Sequence, residues 1–175
     1  DGASLITNPV FCGGGGSALL ERPVAAMVMV DGFGAATFPA DTKVAEAQTW
    51  FDHGIRLRWA FEHGESVRAF RKARLLDPVC GMCAWGEAWA LGPNLNGGGY
   101  DEASLAAAQT AAQDARRLIR NGTPIQKQLV AAINQRYSGF ESSRGRRFAL
   151  MMDRMARRNP ANVTIAAIAA DAFMI

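Results

Sequence analysis

The residues best suited to chemistry in this sequence are two cysteines separated by two residues. Cys80-Gly81-Met82-Cys83 has the spacing of redox-active disulfides and of half a zinc site. A helix that starts just after Cys80 would favour its thiolate form, because a helix N-terminus stabilises negative charge. No strand precedes the pair as in a thioredoxin motif, and Ala84 stands where covalent haem attachment requires histidine. Structural thiols or a local disulfide, a metal site and a catalytic redox centre all stay open.

Two histidines are the remaining candidates for a metal or haem ligand. His53 and His63 each precede a glycine and lie well before the cysteine pair, while Cys12 is more distant still. Four-coordinate zinc with Cys80 and Cys83 would need two of these three. A buried, hydrogen-bonded histidine or a helix C-terminal cap explains both positions as well. No Ser-His-Asp order, paired carboxylates or His-Glu-x-x-His motif accompanies them, so the sequence predicts neither a catalytic residue nor a cofactor.

Composition excludes several classes of protein. The chain has 175 residues, 49% of them hydrophobic, which allows one domain with a sizeable core and excludes general disorder. Its longest apolar run, residues 24–30, is too short to span a bilayer, so membrane association is expected only through a partner. A net charge of +3 does not predict nucleic-acid binding.

One segment is nevertheless rich in arginine. Such a cluster can bind an acidic surface, a phosphate or anionic lipid, although a solvated helix face is the commoner outcome. The cluster consists of Arg144, Arg146, Arg147, Arg154, Arg157 and Arg158.

The elements that must position these residues are helices. Residues 1–40 are rich in Gly and Pro and predict an extended arm that packs on the rest of the chain. Within the arm, Gly13–Gly16 is expected to be a flexible loop. It does not match a phosphate-binding loop, because no Gly-Lys-Ser/Thr follows it. Residues 41–175 predict a helical domain, with Asp41 or Thr42 capping the first helix and His63-Gly64 ending it. The predicted helices lie at about 41–61, 65–76, 82–91, 101–120, 124–137, 142–158 and 160–175.

The spacing of small and large residues repeats along these helices. Trp50-x3-Gly54-x2-Leu57, Ser66-x3-Phe70-x2-Ala73 and then Pro78 are close to the 34-residue tetratricopeptide pattern. Later residues at the same spacing are Ala84, Ala88 and Leu91, and then Phe148, Met152, Met155 and Pro160. The predicted repeats span about 47–80, 81–122 and 123–160, with the start of a further helix at 160–175. An irregular helical bundle is the alternative.

Beyond this spacing, a run of local motifs resembles bacterial tetratricopeptide-repeat proteins, and more narrowly a group of longer, largely uncharacterised and often exported ones. The match covers about residues 32–96, and the later helices agree in general style. The motifs are Gly32-Phe33-Gly34, Phe38-Pro39, Trp50-Phe51-Asp52-His53-Gly54, Phe61-Glu62-His63, Leu76-Asp77-Pro78, Trp85-Gly86 and Leu91-Gly92-Pro93-Asn94.

This resemblance implies a right-handed α-solenoid of antiparallel helix pairs that serves as a protein-binding scaffold without chemistry of its own. His53 departs from it, since the repeat usually has a larger apolar residue there. Export, as in the similar proteins, would place the chain in the bacterial periplasm or outside the cell, where Cys80 and Cys83 would form a disulfide.

In such repeats the first helix of each pair lines a concave groove for a partner. The residues expected to face this groove are Gln48, Phe51, Ile55, Arg58, Trp59, Met82, Trp85 and Trp89. The groove lacks the Lys/Asn set that clamps a C-terminal carboxylate, so an apolar, aromatic partner segment fits it better. The alternative is that Phe51, Trp85 and Trp89 are core residues covered by the arm or by later helices.

The final helix has an unusually apolar composition. Residues 162–175 contain Asp171 as their one charged residue, whereas a solenoid usually finishes with a polar outer face. We therefore expect another chain, a further copy or additional polypeptide to cover it. The leading hypothesis is a non-catalytic scaffold within a larger assembly. The alternative is a metal- or haem-associated redox protein that uses Cys80 and Cys83.

Overall fold

The described part of the chain is all-α. A computed structural model describes residues 23–95 and 102–175, and these ranges contain seven α-helices and no strand. The predicted all-α class is confirmed. The helices are α1 (Ala45–Trp59), α2 (His63–Leu76), α3 (Gly81–Ala90), α4 (Glu102–Leu118), α5 (Pro124–Arg136), α6 (Glu141–Arg158) and α7 (Val163–Met174). Within the same ranges, no helix combines the length and the apolar character that crossing a membrane requires.

The helices pack mainly against their neighbours in the sequence. Each of α1 to α6 contacts the helix that follows it, and α3 also contacts α1 and α5. Because four helices surround α3, every residue from Gly81 to Ala90 is buried. The cysteine pair and two tryptophans therefore lie on the most enclosed helix of the described structure.

Helix α1 ends earlier than the sequence predicts, and a phenylalanine ends it. Phe61 has a φ of 65°, in the left-handed region that glycine usually occupies after a helix. The backbone N–H of Glu62 then donates to Leu57 at 2.9 Å, and that of Phe61 to Arg58 at 3.3 Å, which satisfies two terminal carbonyls. The prediction that His63-Gly64 ends this helix is wrong, because His63 is already the first residue of α2.

Asp41 and Thr42 do not cap their own helix. Helix α1 begins at Ala45, and its N-cap residue makes no side-chain bond. The carboxylate of Asp41 instead accepts from the backbone N–H groups of Gly81 at 3.3 Å and Met82 at 2.8 Å. Asp41 thus caps α3, where its negative charge meets the positive end of the helix dipole.

The described part of the N-terminal arm packs along the helices. Apart from a 3₁₀ turn at Val24–Ala26, residues 23–40 have no regular structure. Gln48 holds the arm on both sides of Pro39: its Nε2 donates to the Phe38 carbonyl at 3.0 Å, and its Oε1 accepts from Ala40 N–H at 2.8 Å. Gln126 of α5 donates to the Pro39 carbonyl at 2.8 Å. The predicted Gly13–Gly16 loop and Cys12 lie outside the described residues.

One aromatic ring joins the first three helices. The ring of Phe70 from α2 lies between Gly54 of α1 and Gly86 of α3, both of which lack a side chain at the point of contact. A Cβ on Gly54 would lie 2.9 Å from this ring, and one on Gly86 would lie 2.3 Å from it. The hydroxyl of Ser66 adds a bond to the Gly54 carbonyl at 2.7 Å. The spacing Gly54, Ser66 and Phe70 noted in the sequence therefore corresponds to a close approach between helices.

The Gly86→Ala substitution should lower the free energy of unfolding by about 2–3 kcal/mol, because the new methyl group overpacks the core against Phe70. Gly145→Ala is the matched control, since Gly145 lies in α6 with open space around its Cα. That variant should gain about 0.5–1 kcal/mol from higher helix propensity. Urea unfolding followed by circular dichroism measures both. Equal stability of Gly86→Ala and the unchanged protein would contradict the close contact.

Candidate functional site

The side chains expected to line a partner groove are mostly core residues. Six of the eight are buried within this chain. These six are Phe51, Ile55, Arg58, Met82, Trp85 and Trp89. Gln48 and Trp59 are half-buried, and each has a partner inside the chain: Gln48 bonds the arm, and the Trp59 ring packs edge-on against Trp89 at 5.3 Å. The prediction of an open groove is therefore wrong.

The physical reason is that other parts of the chain fill this inner face. Phe38 of the arm and Ile168 of α7 meet Trp85 and Trp89 there. The space among these side chains has no room for a water molecule. The two indole rings stack at 5.4 Å with an interplanar angle of 17°. An arm residue and the last described helix thus occupy the surface on which a partner peptide was expected.

Arg58 connects the first described helix to the last. Its side chain is 3% exposed, and Nη2 lies 3.4 Å from the carboxylate of Asp171 in α7. The same nitrogen donates to the Pro93 carbonyl at 3.2 Å, and the guanidinium carbon lies 5.4 Å from the centre of the Trp89 ring. Burial lowers the pKa of Arg58 to about 10, and Asp171 opposes this shift. Arg58 therefore still carries its charge at neutral pH.

A second arginine converges on the same turn. Arg136 of α5 is buried and donates to the Pro93 carbonyl at 3.3 Å. Its guanidinium carbon lies 4.6 Å from the centre of the Phe148 ring. Tyr137, the next residue, donates its hydroxyl proton to the Ala88 carbonyl at 2.5 Å. Arginines of α1 and α5 thus both donate to the turn after α3.

The histidines do not share a site. His63 lies against Arg58, whose Nη1 donates to its Nδ1 at 2.6 Å. Burial, together with the adjacent Arg58, lowers the pKa of His63 to about 4, so the ring is neutral at pH 7. His53 lies between aromatic rings, with its centre 6.2 Å from that of Phe33 and 5.8 Å from that of Trp50. Burial also lowers the pKa of His53.

The cysteine pair forms a disulfide at the start of α3. Cys80 and Cys83 are bonded to each other and are both buried. Cys80 is the N-cap residue of α3, and its sulfur accepts from the backbone N–H of Cys83 at 3.0 Å. The disulfide therefore lies beside the Asp41 cap, and both features stabilise the first turn of α3. Because both sulfurs are buried, an external thiol has no access to them for disulfide exchange.

The alternative metal set is not assembled. Its members are Cys80, Cys83, His53 and His63. The two sulfurs are consumed by the disulfide, and His63 uses Nδ1 to accept from Arg58. Throughout residues 23–95 and 102–175, no group of three or more His, Cys, Asp or Glu side chains is arranged to hold a metal ion. The hypothesis of a metal site at these four residues is wrong for that reason.

The arginine cluster is largely on the surface of α6. Arg144 and Arg147 are half-buried and donate to backbone carbonyls near the start of the helix, at Gly139 and Ser138. The exposed members are Arg146, Arg154, Arg157 and Arg158. Of these, Arg157 donates to Asp153 at 2.9 Å. The helix contains six arginines and two acidic residues, so its outer side is positively charged.

Helix α7 exposes an apolar stripe that we call the α7 ridge. The ridge consists of Ala166, Ala170 and Phe173, which lie on one side of the helix at intervals of four and three residues. Both alanines are exposed, and Phe173 is 59% exposed. Val163 and Met174 extend the stripe to the two ends of the helix. The opposite side of α7, with Ile165, Ile168 and Asp171, is buried.

Sequence reasoning missed Phe38, Arg136 and Asp171 as parts of the interior. Asp171 carried a usable signal, since a single carboxylate in an otherwise apolar helix requires a cationic partner. Phe38 and Arg136 carried none, because nothing in their local pattern shows that they meet residues of distant helices.

Comparison of the chain with protein-family models, with curated proteins and with solved structures finds no match.

The free energy of unfolding should fall as the pH drops from about 6.5 towards 4. The pKa of His63 is about 4 in the folded protein, whereas histidine in an unfolded chain titrates near 6.5. Between these values the unfolded chain binds a proton that the folded protein does not, so acid favours unfolding; above 6.5 the full stability is present.

His63→Gln keeps an acceptor for Arg58 and removes this titration. Urea unfolding of both proteins at about pH 7 and about pH 5.5, where most carboxyl groups are still ionised, measures the difference. The variant should lose less stability over this interval, with a remainder from His53, whose pKa is also lowered. Identical pH dependence of the two proteins would contradict the neutral His63–Arg58 contact.

Proposed function

We propose that this chain is a non-catalytic helical-repeat scaffold of the tetratricopeptide type, an accessory or structural subunit of a larger protein assembly. Its partner surface is the α7 ridge rather than the inner face. The single observation that carries the proposal is the exposure of Ala166, Ala170 and Phe173 along one side of a regular helix. Exposed contiguous apolar surface of this kind marks interaction sites.

Two features of the fold support the tetratricopeptide assignment. The helices contact one another in chain order, and α1 and α3 also touch, as stacked helix pairs require. The residues at the repeat spacing, Gly54, Ser66 and Phe70, form the close seam between α1 and α2. A right-handed α-solenoid is the arrangement we infer from them.

The interior has the character of a structural core. Among the described residues, Phe38 and Ile168 line an inner space that has no room for a water molecule, and Arg58 is buried against Asp171. The buried disulfide at Cys80 and Cys83 fits a role in holding α3, and the redox alternative has no accessible sulfur to support it. We therefore place the proposed partner surface on the exterior of the helices.

A photo-crosslinker tests the proposed function directly. The full chain is expressed in its native host with p-benzoylphenylalanine in place of Ala170, and is irradiated before purification. We expect a covalent adduct with one or a few polypeptides. The matched control places the same group at Ala106, an exposed alanine of α4, and should give none. If position 170 forms no adduct, or if both positions form the same adducts, the proposal fails.

A further inference from the structure

The α7 ridge has the residue spacing of two ridges that are covered inside this chain. In all three ridges, the second residue lies four positions after the first, and the third lies three positions after the second. They are Trp50, Gly54 and Leu57 in α1; Ala84, Ala88 and the C-cap residue Leu91 of α3; and Ala166, Ala170 and Phe173 in α7. The first two sets are buried, whereas the third is exposed.

In α1, the ridge that contains Gly54 packs against a second helix. Ser66 of α2 bonds the Gly54 carbonyl at 2.7 Å, and the Phe70 ring occupies the space above Gly54. Lys72, also on α2, holds its ammonium group 6.0 Å from the centre of the Trp50 ring. The spacing thus marks a surface on which another helix packs.

Helices α3 and α7 also share the same register from the N-cap to the ridge. Cys80 caps α3 by accepting from the N–H of Cys83 at 3.0 Å, and Asn162 caps α7 by accepting from that of Ile165 at 3.1 Å. The three ridge positions follow each cap residue at the same distances along the chain. The α7 ridge is therefore the counterpart in register of the buried ridge of α3, a helix whose following neighbour, α4, packs against it.

The charge of the helix that packs on α7 indicates what kind of partner helix fits the ridge. Helix α6 packs on α7 and exposes Arg154 and Arg158 near its end. Earlier in the chain, Arg74 of α2 reaches past α3 to the carboxylate of Asp114 in α4 at 2.7 Å. By the same arrangement, a helix on α7 would come beside α6, and acidic side chains on its flank would meet these arginines.

We propose that the α7 ridge and the exposed arginines of α6 form a docking site for an amphipathic helix of a partner polypeptide, with a small apolar stripe and an acidic flank. The inference rests on the proposed function and names the class of partner. A second copy of this chain is a poorer occupant, because packing α7 on α7 would bring two arginine-rich helices together.

The probe is a fluorescein-labelled peptide with the sequence of residues 102–118, the helix that packs against α3. An acidic version carries Arg116→Glu and Arg117→Glu, and a basic version carries Glu102→Lys and Asp114→Lys. Fluorescence anisotropy measures their binding to the full chain. At low salt the acidic peptide should bind at least about tenfold more tightly than the basic one, and the gap should narrow at about 0.5 M salt as screening increases.

Matched variants of the full chain assign the binding to this surface. Ala166→Asp should abolish binding of the acidic peptide, whereas Ala106→Asp, the same change near the start of α4, should leave it intact. Arg154→Glu with Arg158→Glu should remove the preference for the acidic peptide, and Arg116→Glu with Arg120→Glu should not. Since all these side chains are exposed, circular dichroism should show unchanged helix content.

The outcomes separate this inference from the proposed function. If both peptides bind with equal affinity and Ala166→Asp abolishes this binding, the acidic flank is contradicted, whereas the proposed scaffold function is not. Absence of binding by either peptide overturns the inference, and the photo-adduct at position 170 then decides the proposed function separately. If the chain self-associates and Ala166→Asp abolishes the self-association, the inference is overturned, because the occupant of the α7 ridge is then a second copy of the chain. Salt-dependent binding of the acidic peptide at Ala166 supports it.

Discussion

The fold depends on a buried cation that ties its two ends together. Arg58 on the first described helix contacts Asp171 on the last one, and it also binds the Pro93 carbonyl and lies over Trp89. Removing one partner of a buried pair costs about 3–5 kcal/mol, because the other charge is left without compensation. Such a pair demands one specific arrangement of α1 and α7. Together with the packing of α7 on α6, this contact holds the inner side of α7 against the core and leaves its outer side exposed.

Side chains of this chain close the inner face of the described helices. Phe38 and Ile168 line the same closed space as Trp85 and Trp89, so this aromatic surface contributes to stability. Apolar burial of this kind contributes about 25 cal/mol for each Å² removed from water. The outer side of α7 has no such cover among the described residues. The buried disulfide and the Asp41 cap then have a structural task, since both hold the first turn of α3.

Local patterns predicted the helices well and the interior poorly. Thr123-Pro124 marks the start of α5, where Thr123 and Gln126 form a reciprocal capping box. The spacing of Gly54 and Phe70 likewise predicted a close helix contact. Asp41, by contrast, caps a helix 40 residues away, and Arg58 meets a carboxylate 113 residues away. Contacts between distant helices leave no local periodicity. The sequence therefore left an open groove and a covered core as alternatives, and the structure shows Phe51, Trp85 and Trp89 in the covered core.

The central claim, that the chain itself seals its inner face, is tested most directly by hydrogen exchange at the indole N–H groups of Trp85 and Trp89. Both groups are buried and have no hydrogen-bond partner in the described structure, so their protection from exchange comes from exclusion of water alone. Nuclear magnetic resonance of the full chain after transfer to D₂O resolves them from the half-buried Trp59. The account predicts that the Trp85 and Trp89 signals persist long after that of Trp59 has vanished. Loss of all three at the same rate would show an open inner face and contradict it.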